Sequence, residues 1–320
     1  MNIAILDDYQ DVVRHLPCFA VLAGHDVRIY TTAVTDTGAL KDLLYDVDAL
    51  VLIRERTPIS AELLRSLPRL RIISQVGRSS HIDLAACEQR GVQVKESYGS
   101  LDATAECVWA LIMSARRKIP QYASRMREGH WQQTGVANRG NLPLSIGQPL
   151  RGTTLGIWGY GRLGKMVANY SKAFSMNVLV WGREGSRQRA LDDGFAVATS
   201  KEMLFERSDV LTLHLRLNRE TEGIVRYEDL LRMKPDALFV NTSRAQLVAP
   251  GALIAALDRA HPGEAALDVF EQEPLLRGDT LLERANVLCT PHIGYVETEN
   301  FRASFTGAFQ HLLDYAAHSS

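Results

Sequence analysis

Short apolar runs alternate with longer helix-like stretches from one end of the chain to the other. Ile3–Leu6, Val27–Tyr30, Ala49–Ile53, Arg71–Gln75 and Val92–Val94 read as strands, and Thr37–Leu44, Ser60–Ser66 and Asp83–Gln89 read as helices between them. Strands that alternate with helices predict a parallel sheet covered by helices. Leu-Pro pairs and Gly91 punctuate the series.

A change follows at Asp102, a candidate N-cap for the next helix. Ala105, Val108, Trp109, Ile112 and Ala115 recur at helical spacing, and Pro120 is expected to close the run. Such a stripe is a packing face, here on a helix placed to join two domains. From Gly129 to Gly152 the chain is rich in Gly, Asn, Gln and Pro and has no periodicity, which predicts a long loop. A second alternating series begins after it. Thr154–Trp158, Val178–Trp181, Val210–His214, Ala237–Asn241, Ala265–Asp268 and Val287–Cys289 read as strands with helices between them. Glu297–Ala317 reads as a last helix, free to return to the first domain.

Composition narrows the class. The chain's 320 residues suffice for two domains, and 46% apolar with 23% charged residues suits a soluble globular protein. A net charge of −1 argues against a general nucleic-acid binder. Cys18, Cys87, Cys107 and Cys289 lie far apart without a CxxC pair, which favours reduced thiols over a disulfide framework or zinc site. No metal site is expected. No segment is apolar for long enough to span a bilayer, and no basic region precedes the first apolar run. A cytoplasmic location and no membrane partner are therefore expected.

Gly159-Tyr-Gly-Arg-Leu-Gly164 carries the first chemistry. A GxGxxG alone is a weak signal, but this one follows a strand and opens a helix, Arg162–Phe174, that leads to a second strand. That is the βαβ setting in which a dinucleotide binds. Gly159 permits the tight turn, Gly161 lets backbone approach a pyrophosphate, and Gly164 lets helix and strand pack closely. The helix N-terminus, at Arg162 and Leu163, offers N–H groups and a positive dipole end to the phosphates. The second strand should end in an acid for the ribose 2′-hydroxyl. It ends instead Val180-Trp-Gly182-Arg-Glu184, with Ser186 and Arg187 close by. Gly182 removes a carboxylate that would repel a 2′-phosphate, and Arg183 can pair with one. NADP(H) is thus slightly favoured over NAD(H), with Glu184 the alternative acid.

Three residues in the second half follow strands and can act together. Arg244 sits in Asn241-Thr-Ser-Arg-Ala245, Glu273 in Asp268-Val-Phe-Glu-Gln-Glu-Pro274, and His292 in Thr290-Pro-His-Ile-Gly294. Ligands of doubly wound sheets bind at the carboxyl ends of strands.

With these motifs in this order, the chain resembles the D-isomer-specific 2-hydroxyacid dehydrogenase family over nearly its whole length. The resemblance implies an α/β fold of two doubly wound domains. A flavodoxin-like substrate domain (1–101 and 292–320) would be built from both chain ends, with an inserted Rossmann cofactor domain (102–291). It implies hydride transfer between a nicotinamide cofactor and a small 2-oxo or D-2-hydroxy acid, glyoxylate and hydroxypyruvate being the first to try. Arg244 would hold the substrate carboxylate through its planar fork. His292 would be the acid/base, and Glu273 would orient it and stabilise its charged form. Asp268 would hold the nicotinamide carboxamide. His214, Thr242 and Thr104 match cofactor-side positions, although Arg216 replaces a Pro common after the His214 position.

The family's substrate loop, of the type GVGxDNID, is one residue shorter here: Gly77-Arg-Ser-Ser-His-Ile-Asp83. Its backbone amides are expected to meet the substrate carboxylate, which makes Gly77, Arg78 and Ser79 substrate-site candidates. Arg54 matches another substrate-facing position. Two arginines favour a substrate with a second anionic group, unless both are structural. Trp131, in Gly129-His-Trp, resembles a family position before the long loop, and a homodimer is implied. No appended regulatory domain is expected after Ser320. The competing reading is a dinucleotide-sensing protein of the same fold, like corepressors that resemble this family.

Overall fold

The computed structural model describes residues 1–139 and 143–318. Residues 140–142, inside the expected long loop, and 319–320, at the end of the expected substrate domain, lie outside the described residues. The chain divides into two compact units, Met1–Ser100 with Val296–Ser320, and Leu101–Tyr295.

In the first unit β1 (Asn2–Ile5), β2 (Asp26–Ile29), β3 (Ala49–Ile53), β4 (Ile72–Val76) and β5 (Gln93–Ser97) form a parallel sheet in the order β2-β1-β3-β4-β5. This is the flavodoxin-like doubly wound order. Every residue of β3 and β4 is buried, because helices cover both faces. Short polar residues start those helices. Asp36, Ser60 and Asp83 accept N–H groups of Ala39, Leu63 and Ala86 at 2.7, 3.2 and 2.9 Å. Two 3-10 helices, Val13–His15 and Pro17–Leu22, form the β1–β2 crossover that the periodicity left unassigned. The last helix, Thr298–His318, lies on β4 and β5. It buries Phe301, Phe305 and Phe309, each contributing roughly 1.5–3 kcal/mol. Ser74 and Ser97 donate their hydroxyls to its Ala308 and Ser304 carbonyls at 2.9 and 2.6 Å.

The second unit holds a seven-stranded parallel sheet. Its strands are β6 (Thr154–Trp158), β7 (Asn177–Trp181), β8 (Ala196–Val197), β9 (Val210–Leu213), β10 (Leu238–Asn241), β11 (Glu264–Leu267) and β12 (Val287–Cys289). The order is β12-β11-β10-β9-β6-β7-β8, the Rossmann order extended by one strand. The two-residue β8 carries too little pattern to be read from sequence. The helix Asp102–Arg116 places Trp109 against Phe174 with ring centroids 4.7 Å apart, and the indole N–H reaches the Val167 carbonyl at 3.2 Å.

Two expectations around this helix need correction. Asp102 is its first residue rather than its cap: Leu101 occupies the cap position, and the Asp102 charge lies in the first turn, where the helix dipole favours it. Pro120 does not close the run either. The helix ends at Arg116, Lys118 turns left-handed at φ 56°, and Pro120 sits in the first turn of a second helix, Ile119–Arg127. Proline is tolerated there because that N–H has no intrahelical acceptor to lose. Beyond it, Thr134 Oγ1 donates to the Ser145 carbonyl at 2.9 Å and Ser145 N to Asn138 Oδ1 at 2.9 Å, so side chains tie Thr134 and Asn138 to Ser145.

Candidate active site

The glycine turn lies where the strand order of the second sheet reverses, between β6 and its two neighbours β7 and β9. Gly159 has φ +104°, and a Cβ there would stand 2.5 Å from the His214 carbonyl oxygen, so no side chain fits. Its N–H donates to the Trp181 carbonyl at 2.9 Å, and His214 N donates to the Trp158 carbonyl at 2.8 Å, binding the three strand ends together. A Cβ at Gly164 would press to 2.2 Å of the Gly159 oxygen, which explains the close helix–strand packing. Gly161 differs: a Cβ there meets nothing within 4 Å. It caps the helix Arg162–Ser171 and leaves open space at that N-terminus.

Two polar atoms at the ends of β9 and β10 are buried without a partner, His214 Nδ1 and Thr242 Oγ1. The residues before them, Leu213 and Asn241, pair in register. Burial pushes the His214 imidazole down to about 4, so it is neutral at ordinary pH. A buried group without a hydrogen bond is costly unless a ligand completes it. Open backbone at Gly161 and unmet hydrogen-bonding capacity at His214 and Thr242 therefore fit a nicotinamide dinucleotide.

At the end of β7, Arg183 caps the helix Glu184–Asp192 and pairs with Glu220 at 2.5 Å, both side chains being largely exposed. Arg187 pairs with Glu184 and lies over the Trp181 ring, 4.9 Å from its centroid. Gly182 stands between these groups without a side chain, 3.3 Å of space separating a virtual Cβ from Ser186 Cβ.

The second unit also carries Arg244, Glu273 and His292. His292 Nδ1 meets Glu273 Oε2 at 2.7 Å, and Glu273 Oε1 accepts the Phe270 N–H at 3.0 Å. Burial pushes the Glu273 carboxyl up. Its hydrogen bonds from His292 and Phe270, with the charges of His292 and Arg244, outweigh that and hold it below the usual carboxylate range. His292 sits in the left-handed region at φ +52°, a conformation that costs a non-glycine residue roughly 1–2 kcal/mol. Asp268 holds it there. Buried at the end of β11, Asp268 accepts Thr290 Oγ1 at 2.6 Å, Ile293 N at 2.8 Å and Gly294 N at 2.8 Å. These bonds take three of about four acceptor sites on the carboxylate, leaving one. Tyr295 meets the His292 ring edge-on, with centroids 6.1 Å apart. Thr104, in the first turn of its helix, lies 3.7 Å from a virtual Cβ on Gly294.

Arg244 is set by its neighbours in the chain. Asn241 accepts Ser243 N at 3.0 Å and donates to the Arg244 carbonyl at 2.9 Å, while Ser243 Oγ donates to the Leu213 carbonyl at 2.6 Å. Sequence reading quoted Asn241, Ser243 and Thr290 within motifs without giving them a role, and passed over Tyr295. Asn241 alone carries a local signal, a polar side chain ending an apolar strand that fixes the next turn, whereas Ser243 and Thr290 bond across 30 and 22 residues.

In the first unit the carboxyl edge gathers charge. Arg54 is left-handed at φ +61°, and buried Gln75 donates to its carbonyl at 2.9 Å. The Arg54 Nη1 would lie 3.1 Å from a Cβ on Gly77, which has φ +105°. Glu55 Oε2 stands 4.0 Å from Arg54 Nε. Arg56 donates to the Asp7 carbonyl at 2.5 Å, and Thr57 donates to the buried Asp7 carboxylate at 2.6 Å. In the loop after β4, Ser79 gives its N–H and its hydroxyl to Glu96 Oε1 at 2.8 and 2.6 Å. The Ser79 amide, expected to face substrate, is thus engaged inside the chain. Arg78 is exposed and acts on Glu96 electrostatically. Both ring nitrogens of His81 are buried without a partner. Among the described residues no helix is long and apolar enough to cross a membrane, and no group of His, Cys, Asp or Glu is placed to hold a metal.

Comparison with known proteins agrees with this architecture. Residues 109–294 match the family model described as D-isomer specific 2-hydroxyacid dehydrogenase, NAD binding domain. The chain is similar to a glyoxylate reductase of Thermococcus litoralis, 36% identical over 261 residues that span 80% of this chain and 77% of that protein. An oxidoreductase from Ralstonia solanacearum superposes with a TM-score of 0.96 at 54% identity, covering 99% of this chain and 95% of that one. A phosphoglycerate oxidoreductase from Vibrio cholerae superposes with a TM-score of 0.94 at 50% identity over 100% of both chains.

Proposed function

The chain belongs to the D-isomer specific 2-hydroxyacid dehydrogenase family, and from this premise we propose that it reduces a small 2-oxo acid to the D-2-hydroxy acid, or runs the reverse. The observation that carries the reading is the 2.7 Å bond from His292 Nδ1 to Glu273. A carboxylate on one ring nitrogen stabilises the imidazolium and directs the other nitrogen to the reacting oxygen.

In this reading residues 102–291 hold the cofactor, and 1–101 with 292–320 serve the substrate. Gly159, Gly161, Arg162, Leu163 and Gly164 receive the pyrophosphate, while Gly182 and Arg183 face the adenosine ribose. Thr104, His214, Thr242 and the remaining acceptor site of Asp268 surround the nicotinamide half. Bound nicotinamide supplies the hydride that converts the carbonyl carbon to the alcohol. Arg244 holds the acid's carboxylate and polarises the carbonyl. His292 delivers a proton to the carbonyl oxygen during reduction and withdraws it during oxidation, while Glu273 stabilises the charged ring. Arg54, Gly77, Arg78 and Ser79 contribute to the substrate's surroundings. Arg183 beside side-chain-free Gly182 favours NADP(H). Exposed Ile119, Met126, Trp131 and Ile146, on and after one short helix, support a homodimer that covers them. A reducing, cytoplasmic setting suits the four free thiols.

The test follows the absorbance of reduced nicotinamide with glyoxylate, hydroxypyruvate and related acids. Turnover is expected, His292→Ala lowering kcat by about 10²–10⁴-fold and Arg244→Ala both lowering kcat and raising KM for the acid. Tight cofactor binding with no 2-oxo acid turned over replaces this reading with dinucleotide sensing.

A further inference from the structure

The carboxyl edge of the five-stranded sheet carries three arginines, and each has a carboxyl group as a neighbour. Arg54 faces Glu55 at 4.0 Å, Arg56 is bonded to the Asp7 backbone and acts on its carboxyl, and Arg78 acts on Glu96. Glu96 is the best organised of the three acids. It lies opposite Gln75 in the β4–β5 register, and the ladder continues through Gly77 N to the Ser97 carbonyl at 2.9 Å. One of its oxygens takes both Ser79 donors and the other takes the Tyr98 hydroxyl. Burial pushes the Glu96 carboxyl up, but these bonds and Arg78 prevail and hold it below the usual range. It is a fixed negative charge in β5, bonded to the loop that follows β4.

Resting on the reaction proposed above, we propose that Glu96 is a specificity-determining residue that restricts the substrate to singly charged 2-oxo acids. Its carboxylate balances Arg78 and occupies the Ser79 amide. A second anionic group, such as a phosphate on the third carbon, would meet Glu96 rather than an open cation and amide. Like-charge opposition of this kind discriminates by destabilising the wrong ligand.

Hydroxypyruvate and 3-phosphohydroxypyruvate share a carbon skeleton and differ by the phosphate. Wild-type kcat/KM is expected to favour hydroxypyruvate by about tenfold or more. In Glu96→Gln the side-chain oxygen still accepts from Ser79 while the charge is gone. The ratio should narrow by about tenfold, chiefly through KM for the phosphorylated acid. Glu96→Ala, which also releases Ser79, should in addition raise KM for hydroxypyruvate. A wild type that prefers the phosphorylated acid, or a Glu96→Gln ratio within about twofold of wild type, overturns the proposal. If the wild type turns over neither acid, the reaction reading fails separately. Calorimetric Kd values of D-glycerate and 3-phospho-D-glycerate then decide for Glu96. The same narrowing of their ratio in Glu96→Gln supports it, and an unchanged ratio or no binding overturns it.

Discussion

The two parallel sheets end in different materials. At the carboxyl edge of the first, several polar groups are answered within the chain by acids and an amide: Ser79 and Tyr98 by Glu96, Thr57 by Asp7, the Arg54 carbonyl by Gln75. The His81 ring nitrogens and Gln75 Oε1 are buried there without a partner. At the corresponding edge of the second sheet, the chain leaves space at Gly161 and unmet polar atoms at His214 and Thr242. A preorganised set of balanced charges suits a small acid, whose few polar groups must find a rigid pattern. Open backbone with unsatisfied buried groups suits a larger ligand that brings its own donors and acceptors. The difference also separates two uses of strain. Arg54 and His292 are both left-handed; Asp268 accepts three bonds around the His292 turn, whereas Gln75 donates to the Arg54 carbonyl and the Arg54 N–H donates to the Val76 carbonyl of β4.

The contrast breaks most directly at two glycines of one turn. Gly159→Ala should destabilise the second unit by about 3 kcal/mol or more, because φ and the His214 carbonyl both forbid a side chain. Gly161→Ala should leave stability within about 0.5 kcal/mol and weaken nicotinamide binding about tenfold or more. Urea unfolding with cofactor titration measures both. Equal stability losses at the two positions would mean that the space at Gly161 is not a ligand's.

His214 sharpens the contrast by pH. An unfolded imidazole titrates near about 6.5, and the buried one only near about 4. Between these values the unfolded chain takes up a proton that the folded chain refuses. Stability therefore falls as pH drops from 6.5 to 4, by about 3 kcal/mol in all, and the cost is complete below the folded value. His214→Gln should flatten this slope in unfolding measurements between pH 7 and pH 4; a variant with the wild-type slope would refute the assignment.

The smallest effect concerns Arg183, whose pair with Glu220 is exposed and contributes little to the fold. Arg183→Ala should leave stability unchanged and lower the NADPH-to-NADH ratio of kcat/KM by about tenfold. An unchanged ratio removes Arg183 from cofactor choice.

Sequence alone determined the alternating strand and helix series, the glycine turn after β6 and the strand-end positions of Arg244, Asp268 and His292. These follow from local causes: apolar periodicity, backbone freedom at a turn, and the chain direction that puts each residue at a carboxyl end. Local pattern failed where a neighbour decided. Pro120 reads as a stop until the left-handed Lys118 makes it a start, and Asp102 reads as a cap until Leu101 takes that place. Only the tertiary structure decided which polar groups are already partnered. Strand pairing brings Glu96, 17 residues along the chain, to Ser79, and brings Thr290 to Asp268 across 22 residues. Hydrogen bonds saturate, so those partnerships decide which groups remain for a ligand, and no periodicity in the sequence encodes them.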